Sequence, residues 1–185
     1  TRPCHVLQRR GLLGQQRRLQ ACNGFAVQAA PIGLGRSSEL RVDLVWDAFT
    51  KAEMLDQWMA PKPWRVQTKE MDFREGGRWL YTMLSPENVS VGWSLAEFVE
   101  IDPKSSFTTK NSFSDENGNH LDSGFSFSMT KNAFKAEGEK TTVQIVKKMA
   151  NLAELEQFVA MGYKEGFTAG MANLDEYLST LVASK

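Results

Sequence analysis

Apolar residues recur three or four positions apart at Leu155, Val159, Tyr163, Phe167, Met171, Leu174, Leu178 and Leu181, so they share one face of a helix. Glu154, Gln157, Lys164, Glu165, Asp175 and Glu176 fall on the other side. The spacing predicts one long amphipathic helix over Asn151–Leu181. Asn151 followed by Glu154 has the form of a capping box at its start. Gly162, Gly166 and Gly170 lie four apart along one edge of the apolar face. Each glycine inside a helix costs roughly 0.8–1 kcal/mol relative to alanine. Close packing against a sheet would offset that cost. So would room for a bound molecule between helix and sheet.

Upstream the period changes. Val45, Trp46, Phe49, Leu55 and Trp58 suit two short helices, Leu44–Thr50 and Ala52–Met59, which Pro61 and Pro63 end. Strands are then predicted over Trp64–Phe73, Arg78–Leu84, Val89–Ile101, Phe107–Phe113, Gly124–Thr130 and Thr141–Lys147. Alternation is clearest at Trp79, Tyr81 and Met83, and again at Phe125, Phe127 and Met129. Glu75-Gly76-Gly77, Ser85-Pro86-Glu87-Asn88, Asp115–Asn119 and Glu137-Gly138-Glu139 mark turns. Successive strands with short connections imply an antiparallel sheet. The expected class is α+β, with about six or seven strands curved around one long C-terminal helix and two short helices near the start. A twisted sheet curling around a helix leaves a cleft, and small-molecule clefts run to roughly 300–1,000 Å³.

Charge divides the chain. Residues 1–36 carry Arg2, Arg9, Arg10, Arg17, Arg18 and Arg36 and no lysine, aspartate or glutamate, while the rest holds all 22 acidic residues. That boundary sets residues 1–38 apart as a tag, a fusion artefact or a targeting arm, and leaves residues 39–185 as a single domain. Val6, Leu7, Leu12, Leu13 and Leu19 suit a short helix there, and Phe25, Val27 and Ala29 a short strand. The net charge of zero over 185 residues argues against nucleic acid as a partner, and no apolar run reaches transmembrane length. The cysteines, Cys4 and Cys22, both lie in the Arg-rich segment, so the domain needs no oxidising compartment and is expected in the cytoplasm.

Several motifs occur in one order. They are Val45-Trp46-Asp47-Ala48-Phe49-Thr50, Trp58, Ala60-Pro61 and Asp72-Phe73-Arg74-Glu75-Gly76-Gly77-Arg78-Trp79. Phe98 to Pro103, Asp115 to Gly118, Thr141 to Val146 and Gly162-Tyr163 follow. Over about residues 42–182 the chain resembles the activator-of-heat-shock-protein-90-ATPase homologue family of the START-like, birch-pollen-allergen-like superfamily. The resemblance implies a helix-grip fold with a cavity. It also implies a chaperone-associated role in stress response as an alternative to ligand binding. Members normally enter their first helix from an edge strand ending in an Ala-Pro-like turn; here Leu40-Arg41 stands in that place. The first strand is thereby left open, and an unpaired edge would favour a homodimer.

Trp79, Tyr81, Phe98, Phe125 and Phe127 should point from the sheet toward Tyr163, Phe167 and Met171, with Trp58 and Trp64 either at the cavity mouth or pinning the short helices to the sheet. Such aromatics build plain cores as readily as pocket walls. As a wall they would bind a small apolar or amphipathic ligand, with Tyr81 and Tyr163 supplying orienting hydroxyls. No catalytic residue, metal ligand or cofactor is assigned. Asp115-x-Asn117-x-Asn119 resembles a calcium loop, but His120 and Ser126 stand where its glycine and glutamate belong, so a hairpin turn is expected. Asp72 and Glu97 have apolar neighbours but most strand carboxylates face solvent. A cyclase- or hydrolase-like enzyme acting on a polyketide-like ligand is the remaining alternative, and it needs a polar pair deep in the pocket.

Overall fold

The computed structural model describes residues 24–28, 32–33, 38–137 and 140–183. Short strands β1 (Gly24–Gln28) and β2 (Ile32–Gly33) precede helices α1 (Ser38–Thr50) and α2 (Ala52–Trp58). Then come β3 (Arg65–Met71), β4 (Arg78–Leu84), β5 (Ser90–Asp102), β6 (Ser106–Ser114), β7 (Ser128–Glu137) and β8 (Lys140–Lys148). Helices α3 (Leu152–Ala160) and α4 (Tyr163–Ala183) close the chain. Among the described residues the sheet runs β1-β8-β7-β6-β5-β4-β3, with β2 also on β8 and every pair antiparallel.

The strand expected around Phe25 and Val27 is present as β1, in register with β8 from Gly24–Lys148 to Gln28–Gln144. The helix expected from Val6 to Leu19 lies outside the described residues, as do Arg9-Arg10 and Arg17-Arg18. Register shifts occur at Thr68/Glu70, Thr82/Leu84 and Phe98/Glu100, in three consecutive strand pairs. Bulges bend a strand and increase its twist, so this half of the sheet curls toward the helices. No helix among the described residues is long and apolar enough to cross a membrane.

The core lies under α1. Trp46 meets Phe73, Phe107 and Phe134 edge-on at 5.8, 5.8 and 5.2 Å between ring centroids. Val45, Val143 and Leu178 in the same cluster are wholly buried. Asp56 on α2 accepts hydrogen bonds from the Thr68 amide and hydroxyl, which ties that helix to β3.

Two sequence expectations are corrected. The strand placed at Gly124–Thr130 begins at Ser128 and runs to Glu137. Backbone pairing explains the shift. Past Asn111 the free edge of β6 is taken by the hairpin turn, through the Ser114–His120 bridge and the Leu121 amide on the Phe113 carbonyl. Residues 122–127 therefore have no ladder to join, although their alternation imitates one. The single helix expected over Asn151–Leu181 is two. The capping box is real, with Asn151 accepting from the Glu154 amide at 2.9 Å. Gly162, however, sits at φ +86°, a left-handed position that ends α3. Its amide donates to the Val159 carbonyl, and its own carbonyl then accepts from Gly166 in α4. The apolar period survives a two-residue joint, so the pattern alone reads straight through it.

Candidate functional site

Strand parity builds one concave face. Tyr81 lies opposite Ser94, and Trp79 opposite Ala96. Ser94 lies opposite Phe113, Ala96 opposite Asn111, and Phe98 opposite Thr109. Thr109 continues to Thr130, and Thr130 to Lys147. The α3–α4 joint and the first turns of α4 close over this face. Between them lies a cavity of about 510 Å³, within the range typical of small-molecule sites.

Eight of the nine residues expected to bind a ligand line it: Trp58, Trp79, Tyr81, Phe98, Phe125, Tyr163, Phe167 and Met171. Trp79 and Tyr81 stack at 4.0 Å, and the Trp79 indole is held by donating to the Thr68 hydroxyl. Phe125, Phe158, Tyr163 and Phe167 form a chain of rings at 5.9, 4.4 and 5.9 Å. Trp58 touches the cavity, but its indole N–H donates to the Ala48 carbonyl at 2.9 Å and its ring packs on Phe49. It pins α2 to α1 rather than guarding the mouth. Of the lining residues, Met161 is exposed and Phe125 half-buried.

Phe127 is the correction. It stands outside the lining, 43% exposed, with its ring edge-on to His120 and under the Lys110 ammonium at 3.8 Å. The displaced start of β7 is the cause, because Phe127 lies before the strand and strand parity does not govern it.

The glycines divide between the two readings. A Cβ on Gly170 would come within 2.9 Å of the Met59 carbonyl oxygen, so that residue serves close packing of α4 on α2. A Cβ on Gly166 would meet nothing within 4 Å, and Gly166 lines the cavity. Gly166→Ala is therefore expected to raise stability by about 0.8–1 kcal/mol through helix propensity alone. Gly170→Ala is expected to lower it, because helix and backbone must part. Urea midpoints of the two variants check this; equal shifts would show that neither glycine acts through its surroundings.

The sequence reading missed the polar floor and its one charge. Asn111 donates to the Thr130 hydroxyl at 3.0 Å and accepts from the Thr109 hydroxyl. Lys147 follows Ile145 and Val143 on the inward parity of β8 and is only 9% exposed. Its ammonium lies 5.2 Å from the Phe158 ring centroid and 5.8 Å from that of Tyr163. Among the described residues it is the only Asp, Glu, Lys, Arg or His that lines the cavity. Period-two counting onward from Ile145 was the signal that could have found it.

Desolvation by burial pushes the Lys147 pKa down from 10.5 to about 8. Burial pushes the Tyr81 and Tyr163 phenols up, so both stay neutral donors at neutral pH. Folding is penalised by the Lys147 ammonium. The penalty is complete below pH 8, where folded and unfolded chains both hold the proton. It is relieved as pH rises from about 8 toward 10.5, where only the unfolded chain keeps it. The protein is expected to gain stability across that window relative to Lys147→Met. Parallel pH profiles for the two proteins would refute this.

Other titratable candidates are spent locally. Both Asp115 oxygens accept hydrogen bonds within their own turn, from the Asn117 and Asn119 amides and the Asn119 side chain. Asp72 pairs with Arg74, and Glu97 with Lys110.

A family model described as activator of Hsp90 ATPase homolog 1-like protein matches residues 39–179. No curated protein matches the chain. Among solved structures, protein Ms6760 from Mycobacterium smegmatis superposes with a TM-score of 0.75 at 21% identity, covering 88% of this chain and 94% of that one. A protein from Arthrobacter aurescens gives 0.76 at 19% identity, covering 86% and 88%. An AHSA1-like protein from Aeromonas hydrophila gives 0.60 at 14% identity, covering 85% and 93%. At these identities the likeness establishes the fold and nothing finer.

Proposed function

The chain belongs to the activator of Hsp90 ATPase homolog 1-like family, and from that premise we propose that it binds a small apolar or amphipathic molecule between α4 and the sheet. One observation carries the reading: about 510 Å³ of space remains where side chains would otherwise close the core. Aromatic walls supply the apolar contact, and the Tyr81 and Tyr163 hydroxyls with Asn111 supply the few polar groups that orient a ligand. Binding needs no covalent step. Titration with neutral Nile red tests the reading, and one saturable site with fluorescence enhancement is the expected result. A linear, unsaturable response would sink it.

The exposed valines at the β4–β5 hairpin favour a second reading. Val89 and Val91 are more than half exposed at its tip, a small apolar surface suited to a protein partner. By family, that partner would be a chaperone ATPase. The reading expects the ATPase rate of heat-shock protein 90 to change when this domain is added, and an unchanged rate counts against it.

A further inference from the structure

We propose that the cavity selects apolar molecules bearing a single carboxylate, with the Lys147 ammonium as its counter-ion. This rests on the ligand-binding reading above and names the class of ligand. Lys147 is more than nine-tenths buried, and no carboxylate among the described residues pairs with its ammonium. Its contacts are the faces of Phe158 and Tyr163. Aromatic faces compensate a cation only in part, and a buried charge without a partner is costly. A ligand carboxylate seated beside it would supply the missing partner through a charge-assisted hydrogen bond.

The surroundings restrict the ligand further. Among the described residues the only cation in the lining is Lys147, so a monoanion is matched, whereas a dianionic phosphate monoester would keep a buried charge unpaired. The inward hydroxyl of Thr130 lies opposite Lys147 in the ladder, and Asn111 donates to it. The head of the ligand thus has a polar floor, and its body has the stacked Trp79–Tyr81 pair and the Phe158–Tyr163–Phe167 rings.

Charge around Lys147 is simple. Tyr163 on α4 packs on it, Tyr81 on β4 is the other titratable group among the described lining residues, and both are neutral below alkaline pH. Phe158 on α3 and Thr130 on β7 do not titrate. On the other edge of β8, the β1 stretch Gly24–Gln28 contains no ionisable residue. Carboxylate affinity should therefore follow the Lys147 proton alone and weaken as pH rises above about 8.

The experiment compares 2-naphthoate with 2-naphthamide, and dodecanoate with dodecanamide, by calorimetry on wild type, Lys147→Met and Lys147→Arg. Near-UV circular dichroism verifies the fold of each. Wild type is expected to prefer each acid that enters over its amide by about tenfold or more at neutral pH. Lys147→Met should abolish the preference, and Lys147→Arg should retain it. The wild-type preference should fade on raising the pH through the Lys147 transition. A preference with only one pair supports the proposal and assigns the body of the ligand as aromatic or aliphatic. Equal binding of acid and amide to wild type overturns it, and so does a preference that survives in Lys147→Met; in both cases the ligand-binding reading stands. Should Lys147→Met lose its near-UV signal, a pH-independent preference in wild type overturns the proposal. Failure of all four compounds to bind overturns the proposal, and the ligand-binding reading then stands or falls on the Nile red titration.

Discussion

Gly166→Phe is expected to abolish binding of apolar probes while leaving the melting temperature equal or higher. A Cβ at this position has open space around it, and the backbone is helical. A phenylalanine there would take up part of the 510 Å³ cavity that Gly166 lines. Burying such a side chain contributes about 1.5–3 kcal/mol. Leaving glycine adds some helix propensity. The volume removed is the volume a ligand needs, so affinity for Nile red should fall by about a hundredfold or beyond measurement. Calorimetry and a thermal melt on one preparation decide the matter. Undiminished binding with raised stability would mean that ligands sit elsewhere. A large loss of stability would mean that the gap is not free to be filled.

Trp58→Ala carries the largest expected stability change, a destabilisation of about 3–5 kcal/mol. The indole is 3% exposed and stacks at a tilt on Phe49 at 4.9 Å. Its removal leaves a void and takes the hydrogen-bond donor from the Ala48 carbonyl. Whole-domain stabilities of roughly 5–15 kcal/mol make that a large fraction. The urea midpoint should fall with an unchanged slope. Lost probe binding with a stability change below about 1 kcal/mol would instead make Trp58 chiefly a ligand contact. The contrast with Gly166 separates two ways of lining a cavity. One residue holds the wall up, and the other leaves the wall open.

Much of this arrangement was legible because period is a local property. Trp79, Tyr81 and Met83 share a strand face by the pleat, and all three line the cavity. Tyr163, Phe167 and Met171 share a helix face and line the opposite wall. The same logic misread Phe127, since alternation is necessary for a half-buried strand but does not create its partner. The joint at Gly162 went unseen for the converse reason. A left-handed residue shifts the backbone without disturbing the order of apolar residues around it. The burial of Lys147 is not legible from its type, since a lysine at a strand end ordinarily faces solvent, although Ile145 two residues earlier already points inward.

The residue order alone dictated an antiparallel sheet gripped by a terminal helix, an Asn151 cap, an aromatic inner face and the family to which the chain belongs. Each of these depends on neighbours in the chain or on motifs spelled out in it. Folding in three dimensions settled which glycine meets Met59 and which meets empty space, how deeply Lys147 is buried, and whether the aromatic faces close on one another. Those are distances between segments far apart in sequence. A cavity in particular is an absence of atoms between them, so no single stretch encodes it.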